Sequence, residues 1–285
     1  MHCRFLRAGM PASAGFFILL IFPAGLPAAA DLTPENAASD GAAAQSNARQ
    51  SPDTERHEAQ NHEPQSHESH GTFEAIYDGK LKKIAGGKVR LAAMQNEDGG
   101  YTFEYSIMPG RLIRLFTRGT LRETTKFDVI DGRPRALDYT LYNTLGSKPR
   151  NGHVAFDWER GIVTGNYKEK AIDIPIPENA ADRSMLQLIL MADLRNDNLQ
   201  QRYWAYDKDE FIPIRVERLG EETIETPVGK FSTVVLRYAE EEDTGDTVLW
   251  CAGELGYLPV RIRANDEGKE VLVAKLTALT GSPAD

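Results

Sequence analysis

The residues from 214 to 263 constrain the fold most, because they form four short segments with the pattern of β-strands. Ile212–Val216 and Leu258–Ile262 alternate apolar residues with polar residues or proline, which is typical of strands with one buried face. Between them, Phe231–Tyr238 is rich in β-branched and aromatic residues, and Thr247–Cys251 is the fourth strand-like segment. Thr226–Gly229 has the composition of a tight turn. Turns this short join antiparallel neighbours.

Hairpin signals recur upstream, where Asp131-Gly132 separates two strand-like runs and Glu97–Gly100 separates two more. The segment from Asp182 to Leu194 instead has the pattern of a helix, which Asp182 can cap. Its residues are apolar around most of the circumference, so we expect it to be buried. The predicted fold is therefore mainly β: a long curved antiparallel sheet, similar to a half-open barrel, with one apolar helix on its concave face.

The N-terminal residues 1–30 predict a secretory signal. Arg4 and Arg7 give the positive start, Phe16–Phe22 is the apolar run, and Ala28–Ala30 supplies small residues for cleavage. The apolar run is shorter than the roughly 20 residues that span a bilayer. An uncleaved anchor is the alternative. Cleavage would release a periplasmic protein that does not span the membrane.

Residues 31–70 are poor in apolar side chains and rich in Ala, Gln, Asn, Ser and acidic residues, which predicts a disordered tail. The tail contains four histidines, three of them in a loose five-residue repeat, and histidine tracts can collect divalent metal. These histidines are His57, His62, His67 and His70. The tail is thus either a solvated spacer or a weak metal buffer. From residue 71 to 285 the composition is that of a single β-rich domain.

Six short motifs follow one another along the chain: Phe156–Trp158, Asp182–Met185, Gly220–Thr223, Thr226–Phe231, Leu249–Ala252 and Tyr257–Val260. This ordered series resembles an exported bacterial family, the domain of unknown function 3108. The resemblance extends from Phe73 to Leu279. It implies an exported location and a common fold, but no activity, so no catalytic residue follows from it.

The least ordinary segment is Pro109–Phe116, in which apolar residues cluster on one side and Arg111 and Arg114 lie on another. It is either a flap over an apolar cavity, a connecting helix or a strand packed on the core. A ligand between sheet and helix would contact this segment and the apolar helix. The predicted ligand-binding residues are Leu112, Ile113, Phe116, Met185, Leu186, Ile189 and Trp250.

The sequence nominates no catalytic group, cofactor or metal centre in residues 71–285. His153 is the sole histidine there, whereas a histidine-ligated metal needs two or three. Cys251 is the sole cysteine left after signal cleavage, and we expect it to be buried. A Cys251–His153 nucleophilic pair is possible in principle, but no glycine-rich elbow surrounds the cysteine. Enzymatic activity is therefore uncertain and not expected.

The net charge of −9 disfavours nucleic acid as a partner, because phosphate neutralisation needs the opposite sign. Three functions stay open. The first is an exported envelope module that binds or chaperones an apolar or amphipathic ligand, such as a lipid, without catalysis. The second is a structural or protein-interaction role with an envelope protein partner. The third and less favoured is a polysaccharide hydrolase using a pair of carboxylates.

Overall fold

A computed structural model describes residues 71–81, 84–111, 114, 119–145 and 148–283. Within these residues the chain forms fifteen strands in one curved open sheet. One α-helix is present in the same part of the chain. The predicted fold class is confirmed.

Most of the sheet is a meander in which neighbours along the chain pair antiparallel, from β1 to β8 and again from β10 to β15. Pairing of β1 with β15 joins the two halves. The strands are β1 (Phe73–Leu81), β2 (Ile84–Gln95), β3 (Tyr101–Pro109), β4 (Leu121–Ile130), β5 (Arg133–Asn143), β6 (Gly152–Asp157), β7 (Ile162–Tyr167), β8 (Lys170–Pro175), β9 (Ala180–Asp182), β10 (Arg202–Asp207), β11 (Glu210–Thr226), β12 (Gly229–Glu240), β13 (Asp246–Ala252), β14 (Leu258–Asp266) and β15 (Lys269–Gly281).

The structure has tight turns at the positions where the sequence predicts them. Asp131 and Gly132 connect β4 to β5 with φ angles of 51° and 74°, as a tight hairpin with the right twist requires. Thr226 pairs directly with Gly229, so proline and valine form the tip of the β11–β12 hairpin. These turns fix the register of the neighbouring strands.

One strand pair departs from the predicted antiparallel arrangement. β9 pairs parallel with β10, with Ala180 opposite Trp204 and Asp182 opposite Tyr206. The reason is that the helix, α1 (Leu186–Arg195), lies between these two strands in the chain. A helical crossover returns the chain in the same direction and so makes a parallel pair.

The helix starts later than the sequence predicts. Asp182 is the last residue of β9, and its Oδ1 accepts the backbone N–H groups of Ser184 and Met185 at 3.0 Å each. The carboxylate therefore fixes the turn that precedes α1, whereas the residue flanking the helix, Met185, offers no side-chain cap. An aspartate cap and an aspartate-stabilised turn have the same sequence signature.

The two edge strands, β8 and β9, follow each other in the chain, so the first and last strands of the sheet are brought together. A second core forms at this junction, where Tyr206 of β10 packs edge-on against Tyr139 and Phe156. The ring centroids lie 6.0 and 6.3 Å apart. Aromatic packing thus links strands that share no backbone hydrogen bonds, which gives the sheet its barrel-like curvature.

Candidate functional site

An apolar groove lies between α1 and the first strands of the sheet. Its volume is about 380 Å³, and helix residues form one wall and residues of β1 to β5 the other. The wall of the sheet contains Phe73, Ala93, Tyr101, Phe127 and Val129. The Tyr101 and Phe127 rings stack with their centroids 5.3 Å apart, so this wall is aromatic and flat.

The helix presents one stripe of side chains to the groove. Leu188, Met191 and Arg195 line it, at spacings of three and four residues that place them on the same side of the helix. The stripe passes from two apolar side chains to a cation. The groove therefore has an apolar interior and a charged end, which suits an amphipathic molecule.

The charged end of the groove is held in place by a buried network. Asp193 is fully buried, accepts two hydrogen bonds from Arg133 at 2.9 and 3.1 Å, and accepts a third from the Tyr203 hydroxyl at 2.8 Å. Arg195 donates to the backbone oxygen of Pro283 at 2.8 Å, and burial lowers the pKa of its guanidinium. These contacts attach the end of α1 to the sheet and to the C-terminal segment.

A second feature is a cluster of buried ionisable side chains under the start of α1. Arg183 and Asp207 form a buried ion pair, and Arg183 and Lys208 hold the pKa of Asp207 below its usual value although burial acts against this. Asp182 accepts a hydrogen bond from Thr125 at 3.0 Å. The pKa of Asp182 is raised, because burial outweighs the hydrogen bonds to its carboxylate.

Glu123 of β4 stands out in this cluster. It is fully buried, and neither carboxylate oxygen has a partner within hydrogen-bond geometry among the described residues. Burial raises its pKa to about 7, against the lowering effects of Arg183 and of the nearby Tyr139 hydroxyl. Glu123 was not among the residues predicted from the sequence, although it has the same strand parity as Leu121 and Thr125, both of which face the interior.

Comparison with known proteins identifies the family. A sequence model described as "Protein of unknown function (DUF3108)" matches residues 81–273, which is more than half of the chain. The chain belongs to the DUF3108 family. The resemblance seen in the short motifs is thereby confirmed. No curated protein matches the DUF3108 chain in sequence.

Several solved structures are similar to the DUF3108 chain at low identity. A β-barrel-like protein of domain of unknown function DUF1849 from Brucella abortus has 14% identity and a TM-score of 0.49, over 74% of this chain and 98% of that one. The MucA/MucB complex of Pseudomonas aeruginosa has 12% identity and a TM-score of 0.33, over 73% of this chain and 51% of that one. A structure of MucB has 9% identity and a TM-score of 0.30, over 75% and 54%. The DUF3108 chain spans about half the length of the MucB chains it matches.

The structure places three predicted helix residues in the core and not in the groove. Met185, Leu186 and Ile189 are at most 2% exposed, whereas their neighbours Leu188 and Met191 line the groove. Because α1 is apolar all round, residue type could not show which side faces the groove. Leu112, Ile113 and Phe116 lie outside the described residues, as do the four tail histidines: His57, His62, His67 and His70.

Trp250 lies away from the groove. Its indole N–H donates to the Glu222 carboxylate at 2.6 Å, on the face of β13 opposite to that of the adjacent Cys251. Cys251 is buried as predicted, and burial raises the pKa of its thiol. His153, by contrast, is exposed and contacts Asp138 at 2.7 Å. Trp250 therefore does not line the groove.

Within the described part of the chain, no group of three histidine, cysteine, aspartate or glutamate side chains is arranged to hold a metal ion. No helix there has the length and apolar character needed to cross a membrane.

Proposed function

We propose that this protein binds an amphipathic molecule in the groove between α1 and the sheet, as a non-catalytic carrier or chaperone of the cell envelope. The observation that carries the proposal is the stripe of Leu188, Met191 and Arg195 along one wall. The apolar part of the ligand would lie against the aromatic wall of Phe127, with its polar end near Arg195.

The size and rim of the groove support this proposal. Its volume of about 380 Å³ falls in the range of small-molecule sites, which is roughly 300–1,000 Å³. Val129 lines the groove and is 44% exposed. An apolar side chain at the rim of a cavity offers a path along which an acyl chain can enter without losing apolar contact.

The proposed location is the periplasm. Residues 1–30 carry the charged start, apolar run and small residues of a secretory signal. An exported protein with an apolar groove would shield an acyl chain from water between membranes. Burial of each methylene contributes about 0.8 kcal/mol, so even a short chain segment gives measurable affinity.

Native mass spectrometry of the protein purified from the envelope, followed by titration of delipidated protein with a fluorescent fatty acid, tests the proposal. The informative variant is Val129→Lys, because Val129 is exposed enough to be replaced without disrupting the core. A cation in the apolar wall should weaken binding by about tenfold or more. The matched control is Val228→Lys, at the exposed tip of the β11–β12 hairpin.

We expect wild type and the Val228 variant to bind equally and the Val129 variant to bind poorly. Equal affinity of the two variants, or wild-type protein that binds no fatty acid, would contradict the proposal.

A further inference from the structure

Two arginines stack on one indole on the face of the sheet opposite Cys251. The Cζ atoms of Arg261 and Arg263 lie 4.4 and 5.3 Å from the centroid of the Trp250 ring. The arginines are alternate residues of β14, so both side chains emerge on the same face. Arg261 is in register with Trp250 on one side and with Lys275 on the other. Three cationic side chains are therefore neighbours on this face of the sheet.

This cationic group differs from many arginines of the sheet in forming no ion pair within the described residues. Arg90, Arg135 and Arg237 each contact a carboxylate. No ion pair of Arg261, Arg263 or Lys275 occurs among the described residues, and the carboxylate beside the indole, Glu222, accepts the indole N–H at 2.6 Å. Asp78 of β1 is in register with Lys275 on the side away from Arg261, so the excess of positive charge is centred on the two arginines.

The arginine side chains are also incompletely hydrogen-bonded. The Nε atoms of Arg261 and Arg263 are buried without a partner, while each residue keeps part of its surface exposed. A buried donor left without an acceptor is unfavourable. An oxyanion bound at the accessible part of the two arginine side chains would neutralise their charge.

We propose that Arg261 and Arg263, with Lys275 beside them, bind a phosphate group. The planar guanidinium matches the geometry of phosphate oxygens, and stacking on Trp250 holds each fork in a fixed orientation. Three cations favour a doubly charged phosphate over a carboxylate. The site lies away from the groove and does not depend on the function proposed for it.

Binding of inorganic phosphate, measured by calorimetry and by the rise in Tm over sodium chloride at matched ionic strength, tests the proposal. The test variant is Arg261→Gln with Arg263→Gln, which should lower phosphate affinity by at least about tenfold per arginine. The control is Arg218→Gln with Arg237→Gln, which removes the same charge from exposed arginines of β11 and β12.

A second variant shows whether a loss of phosphate binding comes from misfolding or from the loss of the guanidinium groups. Arg261→Lys with Arg263→Lys keeps the charge and the aliphatic stems but loses the planar forks, so phosphate should bind at least about tenfold more weakly than to wild type. Phosphate binding that is absent in wild type, or that is the same in wild type and either test variant, would overturn the proposal.

Vesicles distinguish the two sources of the phosphate group. The first source is a lipid headgroup, and the probe is a vesicle that contains phosphatidic acid, whose phosphomonoester can carry two charges. A lipid headgroup would be assigned if the protein floats with phosphatidic acid vesicles but not with phosphatidylcholine vesicles, and if free phosphate or the Arg261→Gln, Arg263→Gln variant abolishes that flotation. Phosphate binding without flotation would assign a soluble phosphate compound. Flotation that both double glutamine variants retain would show that the paired arginines do not bind the headgroup, and would contradict the lipid assignment.

Discussion

Replacement of Glu123 by glutamine should make the protein more stable at neutral and alkaline pH. In the folded protein, burial raises the pKa of this carboxyl from 4.5 to about 7, because the lost hydration of the charged form outweighs the lowering effects of Arg183 and of the Tyr139 hydroxyl. Each pKa unit corresponds to about 1.4 kcal/mol, so ionised Glu123 costs folding about 3 kcal/mol above pH 7.

The sign follows from the direction of the shift. The folded state retains the proton to higher pH than the unfolded state, so this group favours folding most below pH 4.5. That contribution is lost as the pH rises through about 7. Glutamine is nearly the same size and carries no charge at any pH. Glu123→Gln should therefore match wild type near pH 4.5 and exceed its free energy of unfolding at pH 8 by up to about 3 kcal/mol.

Urea unfolding of both proteins between pH 4.5 and pH 8 measures this difference. Glu97→Gln is the control, because Glu97 lies exposed at the β2–β3 turn. A Glu123 variant that is less stable than wild type at pH 8 would refute the reasoning. So would a dependence on pH that is the same in the Glu123 and Glu97 variants.

Two further predictions concern the strands. Gly165→Ala should destabilise the protein by more than about 2 kcal/mol, since Gly165 has a φ of 150° and an added Cβ would lie 2.2 Å from the backbone oxygen of His153. Gly161→Ala, at a turn with a φ of 67° and open space around it, should cost only about 1 kcal/mol; equal losses in thermal unfolding would contradict this. Cys251 should resist a thiol reagent in the folded protein and react fully in denaturant, because it is 1% exposed and burial raises its pKa. Rapid labelling of folded protein would refute its burial.

The meander could be predicted from the sequence because each of its hairpins depends on a few residues that are neighbours in the chain. Asp131-Gly132 and Thr226–Gly229 determine turns without reference to the rest of the chain, and the strands on either side alternate clearly. The apolar helix was predicted for the same reason. Its start was misplaced because the hydrogen bonds of Asp182 serve the preceding turn.

The candidate site was less predictable because it depends on packing between distant segments. β9 contributes three residues, which is too short for a pattern, so its parallel pairing could not be foreseen. A helix that is apolar all round does not show which stripe faces a cavity, so Leu188 and Met191 were missed although their neighbours were named. Trp250 was named as a ligand-binding residue, yet it does not line the groove.

A crystal structure of the protein with a bromine-labelled fatty acid tests the central claim most directly. If the groove holds the acyl chain, an anomalous bromine peak will lie between Leu188 and Met191 of α1 and Phe127 of β4, with the carboxylate end toward Arg195. A bound fatty acid whose bromine lies elsewhere, or a groove that stays empty at saturating ligand, would contradict the account.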